Sequence, residues 1–210
     1  MRISRTLVAT VAVAAFAASG CSKTAPSKPG TTSTSPSSAT SSPAQSTSAS
    51  APASAAVAQP TGEYGALLIP ATDIGAPIPF TAGAPTANPN GQEGVAVTYS
   101  TADHDHEIID TIEVFGDPSA AADALTAAKS AQAKRMKAPR TEPNVVGTGG
   151  TTVSGTLTDG SKGVTTLLFT VGKAFVTMEF LGAAEFLPPP DFVTSVGNKQ
   201  ADAVKKGLGN

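Results

Sequence analysis

Both histidines of the chain, His104 and His106, stand in the run DHDHE, with Asp103, Asp105 and Glu107 around them. Imidazole and carboxylate are common ligands of Zn²⁺ and Cu²⁺. If the backbone is extended there, His104 and His106 share one side, and with Asp105 they make a candidate ligand set. A closed four-ligand site would need a further residue from a distant part of the chain. The competing reading is a solvated turn between two strands, built from ordinary Asp turn formers, and an isolated HxH favours it. Any Ser/His/Asp hydrolase would have to use one of these two imidazoles. The sequence contains no G-x-S-x-G elbow, no HExxH, no Walker-type phosphate loop and no CxxC pair. The expectation is therefore a protein that is not an enzyme and carries no cofactor.

The second reactive group is Cys21, the single cysteine. Arg2 and Arg5 precede an apolar run, Leu7 to Ala18, too short for an ordinary membrane span, and the run ends in AASGC. This arrangement resembles the lipobox of bacterial lipoproteins. The resemblance implies that residues 1–20 are a signal peptide and that Cys21 is diacylglycerol-modified and further acylated, for example with palmitate. The mature protein would then be held at the extracytoplasmic face of the cell membrane. Each buried CH₂ of such chains contributes about 0.8 kcal/mol. The next stretch, to Pro60, is almost entirely Ser, Thr, Ala and Pro. It cannot bury enough apolar surface to offset its ordering entropy, so residues 21–60 read as a disordered tether with a reach of roughly 35 Å.

Residues 61–210 are the right length for one domain. All 16 acidic residues of the chain fall here, and no Lys or Arg occurs between Thr61 and Ala128. That balance disfavours nucleic acid as a partner, because phosphate neutralisation needs clustered Lys and Arg.

The elements that would position the histidine run follow from periodicity. Leu67, Leu68, Ile69 and Ile74 surround a short helical turn near Pro70, and a Gly- and Pro-rich surface loop runs from Gly75 to Gly94. GVAVTYS (Gly94–Ser100) and EIIDTIEVF (Glu107–Phe115) read as strands on either side of the histidines. Asp110 shares the face of Ile108 and Ile112, which makes it either an edge residue or an anomaly. Asp117 and Pro118 open an Ala-rich helix read through Lys137, with Ala121, Leu125, Ala128 and Met136 on one face and basic residues in its second half, as a helix dipole prefers. Three strands then form a meander, TTVSGTLT, VTTLLFTV and AFVTMEFL. The last two are joined by a Gly172–Lys173 turn of the II′ type. A helix over Phe192–Leu208 ends the chain, weakened by Gly197.

The expected architecture is α+β: a single antiparallel sheet of about five strands with two main helices on one face. The succession ALLIPATDI, VTYS, IEVFGDPSAAADAL, VGKAFVTMEF and a last amphipathic helix resembles small mycobacterial-type lipoproteins and the extracellular sensor domains of some bacterial serine/threonine kinases. The resemblance implies a ligand-sensing or lipid-handling module of the cell envelope, with a cleft between sheet and helix. Leu125, Leu168, Phe169, Val176, Phe180 and Val193 are the candidate core or cleft-lining residues. The candidate partners are the membrane, through acyl chains on Cys21, and a hydrophobic small molecule or an envelope protein. A protein-interaction module without a small ligand is the alternative, and metal binding through the histidine turn a weaker one.

Overall fold

The computed structural model describes residues 63–209. The readings of residues 1–20, of Cys21 and of the tether to Pro60 lie outside the described residues. The elements in chain order are β1 (Thr81–Ala82), β2 (Thr86–Ala87), β3 (Gly94–Ser100), β4 (Glu107–Val114), α1 (Pro118–Lys134), β5 (Met136–Pro143), β6 (Thr148–Leu157), β7 (Lys162–Val171), β8 (Ala174–Ala183) and α2 (Pro190–Leu208). The strands form one antiparallel sheet in the order β1-β3-β4-β8-β7-β6-β5, with β2 also paired to β3. No helix among the described residues is long and apolar enough to cross a membrane.

The sheet has eight strands where the sequence suggests about five. Two of the additions, β1 and β2, are short pairings by which the Gly- and Pro-rich loop covers the outer edge of β3. They satisfy backbone groups that would otherwise be unpaired, and a hydrophobic period cannot reveal them. The third addition is β5. The helix reading extended through Met136 and Lys137, but α1 stops at Lys134, and Met136 enters the core from a strand. Pro139 accounts for this, since it cannot donate a helical hydrogen bond and disfavours helical backbone just before it. Lys137 and Arg140 therefore lie on β5, and of the basic cluster Lys134 occupies the last turn of α1. β5 is an exposed edge strand, with a register shift between Lys137 and Arg140 and Ala138 at φ +46°.

A second correction concerns the helices, which pack on opposite faces of the sheet. On β7, Val164 and Leu168 join a core with Ala121 and Leu125 of α1, whereas Leu167 and Phe169 join a core with Val193, Val196 and Val204 of α2. A strand covered on both faces is apolar at successive positions, which is why VTTLLFTV lacks alternation. The cap of α1 is as its sequence indicates: the Asp117 carboxylate accepts from the N–H groups of Ser119 and Ala120 at 2.9 and 3.0 Å. The β7–β8 hairpin pairs Val171 with Ala174 across a two-residue turn, with Gly172 at φ +56°. Gly197 proves to be a packing residue in α2, because a Cβ there would collide with Leu167 and stand 3.1 Å from Val146 Cγ2. Its absent side chain lets the helix lie close on β7.

Candidate functional site

The histidine run forms a tight turn rather than extended chain. The Asp103 carboxylate accepts from the Thr101 hydroxyl at 2.6 Å and from the Asp105 N–H at 3.1 Å, and the His104 N–H donates to the Thr101 carbonyl at 3.0 Å. The Thr101 and Asp105 bonds hold the Asp103 carboxyl below the usual carboxylate range. His104 adopts φ +59°, so the premise that His104 and His106 share one side of an extended segment fails. Among the described residues, no three His, Cys, Asp or Glu side chains are grouped to hold a metal ion. His104 and Asp105 are exposed, and His106 Nδ1 lies close enough to Gly182 to stand 3.2 Å from a Cβ built there.

His106 turns instead toward a groove. An apolar hollow of about 310 Å³ opens where the chain ends of β3, β4 and β8 meet the start of α2. Ile108 and Phe180 form its floor, Phe192 of α2 one wall, and Ile78 and Phe80 of the 75–94 loop another. The Phe180 and Phe192 rings meet edge to face, with centroids 6.0 Å apart, a favourable arrangement for aromatic quadrupoles. The segment between β8 and α2, which includes Phe186, Leu187, Pro188 and Pro189, closes the last side. Three of its lining residues are exposed large hydrophobics: Ile78, Phe186 (72 % exposed) and Leu187. Beside His106, two polar groups of the rim are already engaged. Glu107 pairs with Lys162, and the Thr101 hydroxyl bonds within the turn.

A second hollow of about 540 Å³ lies across the same strap, with Leu187, Pro188 and Pro189 as its near wall. Its character differs: Arg140, Glu142, Asn144, Thr152, Ser154 and Thr165 face it from the sheet side. Asn144 bridges to α2 by donating to Thr194 Oγ1 at 3.1 Å.

Of the core or cleft candidates, Phe180 lines the groove and Val193 lines the second hollow. Leu125 and Leu168 are buried in the core under α1, and Phe169 and Val176 in the core under α2. The groove residues that sequence reasoning missed include Ile78, Phe80, Ile108, Phe186, Leu187 and Phe192. The available signal was EFLPPPDF, a pair of phenylalanines bracketing a proline run.

Asp110 is the anomaly suspected from its position. It faces the α2 side of the sheet, between Val97 and Met178, is 0 % exposed, and neither carboxylate oxygen has a hydrogen-bond partner. Burial pushes its carboxyl up to about 8. Tyr99, two residues along β3 from Val97, is pushed upward too, by its own burial and by Asp110, and its hydroxyl donates to the Ile69 carbonyl at 2.6 Å.

No family model matches the sequence, and no curated protein matches it. The chain is similar to the crystal structure of the extracellular domain of PknH from Mycobacterium tuberculosis, with a TM-score of 0.48 and 12% identity, over 72% of this chain and 99% of that one.

Proposed function

We propose that this chain is a lipid-anchored, extracytoplasmic, non-catalytic binding module that takes an apolar ligand in the groove between Phe180, Phe192 and Ile78. The observation that carries the reading is the groove itself. It is a hollow within the size range of small-molecule sites, floored by aromatic and aliphatic side chains, with polar groups only at its rim. The non-catalytic part draws support from the pairing of Glu107 with Lys162 and of the Thr101 hydroxyl with Asp103, which occupies two groups that flank His106 at the rim. The anchor reading draws on the AASGC segment, and Cys21→Ser is expected to shift the protein from the membrane to the soluble fraction.

Native mass spectrometry of protein purified from its own host tests the ligand reading. An apolar adduct is expected on the wild type and should be lost in Ile78→Asp. Bare protein in both, together with no calorimetric binding of 1-decanol, would remove the reading. A protein-interaction module is the second reading, favoured by the exposure of Phe186, Ile78 and Leu187 around one mouth. It is selected if the groove binds no small apolar probe while the same substitution abolishes a stoichiometric protein partner.

A further inference from the structure

One row of residues crosses the sheet beneath both hollows. Register places Tyr99 beside Ile108, Ile108 beside Phe180, Phe180 beside Thr165, Thr165 beside Ser154, and Ser154 beside Arg140. Directly opposed residues in a sheet share a face, so the six form one continuous strip. Its character changes midway. Ile108 and Phe180 floor the apolar groove, whereas Thr165, Ser154 and Arg140 face the polar hollow. At roughly 4.8 Å per strand, the distance from Ile108 to Arg140 is on the order of 19 Å. The Leu187–Pro189 strap crosses this strip and walls both hollows.

We propose that the two hollows are one bipartite site for a single amphiphile. Its apolar chain lies over Ile108 and Phe180, and its uncharged, hydroxyl-rich headgroup lies against Arg140, Thr152 and Ser154. This rests on the reading of the groove as an apolar-ligand site. The headgroup class follows from the lining. Hydroxyls both donate and accept hydrogen bonds and a guanidinium donates them, which complements a polyol. Arg140 and Glu142, on the same face of β5 opposite Ser154 and Thr152, bring one charge of each sign, so the hollow does not select an ionic head by net charge. The boundary between the halves falls at the Thr165–Phe180 pair, where both side chains are buried.

Calorimetry on the full chain, with decyl maltoside and 1-decanol each below its aggregation limit, tests the assignment. Decyl maltoside is expected to bind at least tenfold tighter than decanol. The double variant Arg140→Ala/Ser154→Ala should bring the two within about threefold and leave decanol affinity unchanged. Arg140→Ala alone, on an exposed edge strand, gives an intermediate preference without endangering the fold. Equal affinity of the two probes for the wild type would overturn the bipartite site and leave the groove reading standing. So would a maltoside preference that survives the double variant. Absence of binding by either probe would overturn both.

Discussion

The side-chain carbonyl of Gln200 accepts a hydrogen bond from the backbone N–H of Ile69 at 3.2 Å, across 131 positions of sequence. The same amide donates to the Leu67 carbonyl at 2.6 Å. Gln200 is 0 % exposed, so α2 presents a buried polar hand to a segment that belongs to no strand. Tyr99 supplies the remaining contact from β3 by donating to the Ile69 carbonyl. The Leu67–Ile69 segment is thus held by side chains standing in for a sheet partner.

Gln200→Leu preserves bulk but leaves the Leu67 carbonyl and the Ile69 N–H buried without partners. Each such orphan costs about 1–3 kcal/mol, so destabilisation of a few kcal/mol is expected. Denaturant unfolding should show a lowered midpoint, and amide exchange should quicken most at Ile69 and its neighbours.

Asp110 makes stability depend on pH in a direction opposite to the usual carboxylate. Its folded-state value, about 8, lies above its unfolded value of 3.8, so between them the folded protein holds a proton that the unfolded chain has lost. The contribution is fully present below about pH 4 and is lost as pH rises toward 8, at up to about 1.4 kcal/mol per unit. Asp110→Asn removes the ionisation. Thermal melts from pH 5 to 9 should show a declining midpoint in the wild type and a flatter profile in the variant, with the variant the more stable at the alkaline end.

Gly197→Ala should destabilise the protein even though Ala favours helix by up to about 1 kcal/mol. The added methyl would be driven into Leu167 and Val146, both fully buried, and overpacking of this kind typically costs about 1–3 kcal/mol. Pairing it with Leu167→Ala, which vacates the colliding atoms, should cost less than the two single substitutions together. Strict additivity in urea melts would show that the two positions do not compete for space.

What could be read from the sequence was whatever a period or a cap encodes. The β7–β8 hairpin is written in Gly172 and two apolar runs, and α1 in Asp117, Pro118 and the alanines that follow. The end of α1 was misread because Met136 continues the helical stripe in sequence while reaching the same core from a strand, a place where tertiary structure overrides pattern. The side of the sheet that each helix covers was also hidden, since Leu167 and Leu168 are equally apolar and only pairing shows that they face apart. The groove was least legible of all. Ile78, His106, Phe180, Phe186 and Phe192 come from separate segments, and those in loops follow no repeat. Asp110 was visible as a carboxylate on an apolar face, but its isolation from any partner is a property of the assembled sheet.

The irregular outer strand β5 bears on how copies of this chain coexist. Pro139 and Pro143 withhold backbone donors, Ala138 bends the strand, and Lys137, Arg140 and Glu142 place charge along it. An edge of that kind cannot template a strand from a neighbouring molecule. Two copies that met along β5 would therefore not zip into a shared β-ribbon there.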